Sequence, residues 1–190
     1  YYASWGTSIH HAAFQVGSII TTTGYSTVDF NLWPAFSKGI LLVLMVIGAC
    51  AGSTGGGFKC ARVLLVFKSL RRNIRQILNP QKVLVVRSND KVVNENVLAN
   101  TNAYFAAYMI IIVVCTLLLS LDGFSFETNL SAVIACFNNI GPGFAAVGPA
   151  SNFAAYSHFS KIVLSIAMLL GRLEIYPLFI AFSASTWTKE

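Results

Sequence analysis

The sequence predicts an all-α membrane protein made of repeated helix–half-helix–loop–helix units around a central path. Three observations carry this. The 190 residues are 55% hydrophobic and only 11% charged, with a mean hydropathy of +0.66, whereas soluble domains carry about 25% charged residues. A short motif and its surroundings occur twice. The positive charge is gathered in one connector.

The composition leaves too few polar side chains to cover a soluble globule, which places the chain in a bilayer. Its length allows only a few spans, each needing about 20 residues. Three long apolar stretches fit that role. Residues 36–67 begin "FSKGILLVLMVIGACAG", cross a glycine cluster and resume as "ARVLLVF". Residues 103–121, "AYFAAYMIIIVVCTLLLSL", run nineteen residues without a charge. Residues 159–187 carry Arg172 and Glu174 in mid-stretch. Two shorter apolar segments, near 8–20 and 127–137, suit core or re-entrant half-helices. The first leads into "TTTGY" and the second into "NNIGPG".

The repeat joins these parts. "FSK" at 36–38 is followed ten residues after its lysine by Gly48, and "FSK" at 159–161 at the same distance by Gly171. Upstream of each lies a half-helix ending in a loop with a central glycine, Gly24 or Gly141. The order is therefore helix, half-helix, loop, helix, twice over, the first copy lacking its opening helix as a truncated chain would. The expected divisions are a first unit over 1–70 (half-helix 8–20, loop 21–26, broken inner helix 36–70), a connector over 71–95, and a second unit over 96–187 (helix 98–121, half-helix 128–138, loop 138–143, inner helix 159–187). Nine of thirteen Lys and Arg lie between Lys59 and Lys91, opposed there only by Asp90. The positive-inside rule makes the connector and the C-terminus cytoplasmic. A peripheral basic helix is the second reading of this block, and its flanking spans argue against nucleic-acid binding. The outer segments carry Asp29, Asp122 and Glu127 with no Lys or Arg, an acidic mouth that would concentrate cations. Both copies enter from the same side, making them parallel repeats about an axis along the membrane normal.

Non-helical backbone at membrane depth must be buried in protein or line a watery path. Two such loops related by pseudosymmetry face their shared axis. Glycine there turns successive carbonyls to one side, and a ring of carbonyl oxygens replaces the hydration shell of a cation. The threonine hydroxyls add oxygens, and the half-helix C-termini favour positive charge. Covalent chemistry has no footing: the sequence shows no nucleophile–base pair, the histidines lack metal-ligand spacing, and the four cysteines form no C-x-x-C pair. A Walker A reading of residues 52–59 fails because Phe58 precedes the lysine and Cys60 replaces Ser or Thr. The chain begins without Met or a signal-peptide pattern.

"ITTTGYS" at 20–26, "NNIGPGF" at 138–144, "GSTGGGFK" at 52–59 and "LLGRLEIYPL" at 169–178 together resemble the Trk/Ktr/HKT superfamily of potassium transporters. "GRLE" leans toward its Trk branch, the TrkH-like membrane subunit. The resemblance spans essentially the whole chain and aligns it with the C-terminal half, the third and fourth pore repeats. It implies filter loops of potassium-channel type, with Thr22, Thr23, Gly24 and Tyr25 as one quarter and Asn139, Ile140, Gly141 and Pro142 as another. The second quarter departs from the channel string "TVGYG", since Pro142 lacks an N–H and Asn139 replaces Thr.

Five glycines in the ten residues from Gly48 to Gly57, each costing helix about 1 kcal/mol relative to Ala, break the inner helix. The resemblance makes Gly52, Ser53, Thr54, Gly55, Gly56 and Gly57 an intramembrane gate, against a bland alternative of G-x-x-x-G helix packing. It sets Arg172 beside that gate, where a buried charge must face protein or water; pairing with Glu174, two residues on, is poorly placed on a helix. It further implies K+ as the transported ion held only at filter carbonyls, no cofactor in this chain, a homodimer surrounded by membrane lipid, and a cytosolic nucleotide-binding regulatory subunit docked on the connector in the inner membrane. Competing functions are a Na+-permeable pore of the same fold and a non-transporting membrane scaffold. Arg172→Ala is expected to raise Rb+ uptake by the full protein in liposomes; unchanged flux and gating removes Arg172 from the mechanism.

Overall fold

The computed structural model describes residues 4–48, 56–82, 84–88 and 91–173. Its helices are α1 (Trp5–Ile20), α2 (Ala35–Val46), α3 (Cys60–Leu78), α4 (Glu95–Leu119), α5 (Phe126–Phe137) and α6 (His158–Leu173). Two-residue strands interrupt this helical fold. β1 (Ile47–Gly48) pairs in parallel with β2 (Phe58–Lys59), and β3 (Arg87–Ser88) pairs antiparallel with β4 (Lys91–Val92).

Serine starts both half-helices. Ser4 Oγ accepts from the Thr7 N–H and Ser125 Oγ from the Thr128 N–H, each satisfying one of the donors a helix start leaves open. The starts therefore fall at Trp5 and Phe126, ahead of the expected 8 and 128. α4 likewise starts at Glu95, because Asn94 caps the Asn96 N–H and Glu95 suits the positive helix end. With the 3-10 turn that follows, the segment Glu95–Asp122 is the one described helix long and apolar enough to cross a membrane. The inner stretch expected over 36–70 divides at Val46, where the chain turns extended, and resumes as α3. α3 continues past residue 70 to Leu78, since no Gly or Pro occurs until Pro80. Residues 174–187 of the expected last helix lie outside the described residues.

α5 forms the centre. Nine of its residues, Thr128 and Asn129 and then Ser131 through Phe137, are buried, packed by α4 and α6 with α2 alongside. α1 is far more open: only Gln15, Ser18 and Ile19 are buried, and Trp5 and Ile9 stand exposed. The aromatic cluster of Phe58, Tyr104, Tyr108 and Phe137 closes the core beneath α5, with ring centroids 5.0–6.1 Å apart. Phe58, the residue that spoils the nucleotide-loop pattern, is thus a core residue at 2% exposure.

The two halves are tied across the outer surface. Lys38 Nζ reaches Glu127 Oε1 at 2.9 Å. Asn31 grips the other half with both ends of its amide, donating to the Ala145 carbonyl at 3.1 Å and accepting from the Ala145 N–H at 2.9 Å. Asn31→Ala removes both bonds, at about 0.5–1.5 kcal/mol each. It should lower the thermal unfolding midpoint of the full protein in detergent, with Asn31→Asp, which keeps the acceptor, falling between; an unchanged midpoint in the alanine variant contradicts the tie.

Candidate functional site

The site is built at the C-terminal ends of α1 and α5. Both helices end in the same backbone closure, with positions related by a shift of 117 residues (Thr22 to Asn139). In the first, the Thr22 N–H bonds Ile19 O at 3.1 Å and the Thr23 N–H bonds Ser18 O at 2.9 Å. In the second, the Asn139 N–H bonds Cys136 O at 3.0 Å and the Ile140 N–H bonds Ala135 O at 2.9 Å. This is the Schellman arrangement, which demands a left-handed residue just past the cap and usually finds glycine there. Here the positions are Thr22 and Asn139, each with φ 56°. Asn tolerates that region; a β-branched threonine does so only under constraint, at a cost of order 1–3 kcal/mol.

Two residues later the pattern recurs in both loops, at Gly24 (φ 75°) and Gly141 (φ 112°). A left-handed residue at every second position turns successive peptide planes toward one side instead of alternating them. The N–H groups of Thr22, Thr23, Asn139 and Ile140 are engaged by the helix ends, while the loop acceptors stay bare. Among the described residues, no donor reaches the carbonyls of Thr22, Thr23, Gly24, Asn139, Ile140, Gly141 or Pro142. The Tyr25 carbonyl differs: Ser18 Oγ donates to it at 2.6 Å, so it is turned back onto α1.

The loops meet. A Cβ on Gly24 would collide with the Ile140 carbonyl oxygen and lie 3.2 Å from Pro142 Cδ. Above them is a depression of about 410 Å³ lined by Gly24, Ser26, Gly141, Pro142, Gly148 and Asn152, among others. All eight expected loop residues therefore lie in two adjoining loops. One expectation changes. The Thr21 and Thr23 hydroxyls are 2.5 Å apart, and Thr21 Oγ1 also donates to Gly17 O at 2.7 Å. These two hydroxyls brace the helix end and do not stand free as extra ligands. Of the three acids of the expected mouth, Glu127 is paired with Lys38, while Asp29 accepts from the Asn31 N–H and Asp122 from the Ser157 N–H, bonds that leave both carboxylates charged. Each carboxylate is engaged in holding a turn or a helix start.

Beneath the second loop, close approach depends on glycine. A Cβ on Gly56 would lie 2.6 Å from the Asn138 carbonyl oxygen and one on Gly57 (φ 91°) 2.7 Å from Asn138 Oδ1. A Cβ on Gly171 would collide with the Phe137 carbonyl oxygen. Of the expected gate residues, Gly56 and Gly57 thus sit against the base of this loop. Arg172 follows Gly171, is exposed, and pairs with none of the described residues. Gly52, Ser53, Thr54, Gly55 and Glu174 lie outside the described residues. Across the break, Cys60 Sγ donates to Gly48 O at 3.1 Å.

Sequence reasoning missed the side chains that hold the loops. Gln15 Nε2 donates to Ser26 Oγ at 2.8 Å, and Ser131 Oγ accepts from the Phe144 N–H at 2.8 Å. Asn138 is fully buried, and its Oδ1 accepts from the hydroxyl of the fully buried Tyr108 at 3.0 Å. Its Nδ2 has no partner among the described residues.

The chain matches, over residues 3–189, the family described as TrkH, cation transport protein. It is 36% identical over 188 residues to the Trk system potassium uptake protein TrkH of Salmonella typhimurium, covering 99% of this chain and 38% of that one. It is 38% identical over 180 residues to the Trk system potassium uptake protein TrkG of Escherichia coli K12, covering 95% and 37%. The crystal structure of the potassium transporter TrkH from Vibrio parahaemolyticus superposes with a TM-score of 0.88 at 37% identity, covering 98% of this chain and 40% of that one. The chain thus spans about two fifths of the length of the relatives it matches.

Tyr108→Phe strips Asn138 of its described partner inside the core, a loss of about 1–3 kcal/mol for an unsatisfied buried group. The full protein should unfold at a lower temperature, and a variant as stable as the parent contradicts the assigned bond.

Proposed function

The chain belongs to the TrkH family of cation transport proteins, and from that premise we propose that it forms the third and fourth quarters of a potassium-conducting pore. The observation that carries the proposal is the set of seven carbonyls left without donors among the described residues, in two touching loops whose first amides, at Thr22, Thr23, Asn139 and Ile140, are bonded back to the helix ends. A dehydrated cation needs such oxygens. The helix ends beneath them add partial negative charge.

In this reading Thr22, Thr23, Gly24 and Asn139, Ile140, Gly141, Pro142 supply main-chain oxygens, and Tyr25 closes its loop against Ser18. Two quarter-filters do not encircle an ion. The remaining quarters belong to the part of the protein that corresponds to the rest of the relatives' length, and the open flank of α1 is where another helix would pack. The glycine segment through Gly52, Ser53, Thr54 and Gly55 to Gly56 and Gly57 acts as the gate below the filter, with Arg172 as its fixed positive charge. K+ is cargo, and the chain needs no cofactor. The pore lies in the inner membrane with the basic connector on the cytoplasmic side, as a homodimer whose conduction is set by a cytosolic nucleotide-binding subunit. A Na+-permeable pore is the second reading, favoured by Asn139 and Pro142, which depart from a strict channel filter.

The test is Rb+ and Na+ uptake by the full protein in proteoliposomes. A potassium pore takes up Rb+ in preference to Na+, a Na+-permeable pore takes up both, and a scaffold takes up neither. Gly24→Ser adds a Cβ where the Ile140 carbonyl sits and should lower the Rb+/Na+ ratio; an unaltered ratio contradicts the assignment of this loop to the filter.

A further inference from the structure

The basic end of α3 has a use beyond orientation. Lys68, Arg71, Arg72, Arg75 and Arg87 converge, with residues 84–86, on a cavity of about 160 Å³. Lys68 Nζ donates to the Arg87 carbonyl at 2.8 Å, fastening the β3–β4 hairpin onto α3. Among the described residues one ion pair forms there, Arg72 with Glu95. Arg71, Arg75 and Arg87 have no acidic partner among them.

Contacts with α4 set the depth of this cluster. The uncharged run 103–121 holds nineteen residues, about 28 Å of helix at about 1.5 Å per residue, close to the thickness of a hydrocarbon core. Its inner edge adjoins Asn102, whose Nδ2 is 3.5 Å from Ser69 Oγ, and two turns farther out Glu95 meets Arg72. Phe67 therefore sits just inside the core boundary, and Arg71, Arg72 and Arg75 sit in the headgroup layer. Leu70, Ile74 and Ile77 on the same helix are exposed, the apolar side of a basic amphipathic helix at an interface. Deeper along α3 runs a wholly apolar groove of about 350 Å³, lined by Val46, Ile47, Val63, Phe67, Phe105 and Ile134 among others. Phe67 and Arg71 are four residues apart, hence neighbours on one helix face, so the groove leads to the basic cavity.

We propose that this pair of cavities is a binding site for one anionic phospholipid, its phosphate on Arg71, Arg75 and Arg87 and one acyl chain in the groove. A soluble phosphate uses the cations and leaves the groove idle; a phospholipid uses both. The site goes beyond the pore reading and is independent of ion passage.

Native mass spectrometry of the full protein in detergent tests it, with phosphatidylglycerol and phosphatidylcholine of matched chains as probes. The parent should prefer phosphatidylglycerol by about 100-fold, the effect of three surface cations. R71Q/R75Q/R87Q should abolish the preference, R71K/R75K/R87K should keep it, and Val63→Trp, which fills the groove, should weaken phosphatidylglycerol binding. Equal binding of both lipids by the parent, or a preference that survives in the glutamine variant, overturns the site and leaves the cations to an acidic protein partner. Pyrophosphate binding as tight as that of the lipid overturns it in favour of a soluble anion. Loss of preference in the lysine variant shows that the charge is not what the cavity offers, and also overturns it.

Discussion

The structure depends on how two helix ends dispose of their backbone groups. At each end the helix closes on the amides that follow it, using the Thr22 and Thr23 N–H groups in one loop and the Asn139 and Ile140 N–H groups in the other. With these donors engaged, the next carbonyls have no donor among the described residues. Carbonyls left bare away from water cost about 1–3 kcal/mol each, so the arrangement persists where water or a cation meets them. At the left-handed position 22 a glycine would sit without strain; the hydroxyls of Thr21 and Thr23 on either side are bonded at the helix end.

The two loops are held by different means. The second is wrapped by its own helices, and its buried base is fixed by Tyr108, Ser131 and the glycine contacts of Gly56 and Gly171. The first leans on α1 through Gln15 and Ser18 and on its counterpart through Gly24 and Asn31. Besides the outer carboxylates Asp29 and Asp122, the loops feel the field of carbonyl dipoles and helix ends. That source is fixed in position and does not titrate.

Much of this was legible in the sequence. The ends of the half-helices were marked by "TTTGY" and "NNIGPG", where a polar, glycine-bearing string interrupts an apolar run, and the observed ends fall at Ile20 and Phe137. The starts lie ahead of where apolar periodicity puts them, because the capping serines Ser4 and Ser125, a local signal in the sequence, set them. The break after Val46 followed from glycine density, whereas the short strand pairs did not, since two-residue ladders have no pattern of their own. Least legible were the long-range bonds. Asn31 meets Ala145 across 114 residues and Tyr108 meets Asn138 across 30, and nothing near Asn31 or Tyr108 in the chain distinguishes them from a polar loop residue and a core aromatic. The threonine triplet offers hydroxyl oxygens in the sequence, yet two of them, on Thr21 and Thr23, are bonded to each other and to the end of α1.

The most direct measurement is anomalous diffraction from crystals of the full protein grown in Rb+. The account predicts an anomalous peak between the two loops, within coordination distance of carbonyls from Thr22, Thr23 and Gly24 on one side and Asn139, Ile140 and Gly141 on the other. Well-ordered loops with no anomalous peak between them, or Rb+ bound only at the Asp29, Asp122 or Glu127 carboxylates, would contradict it.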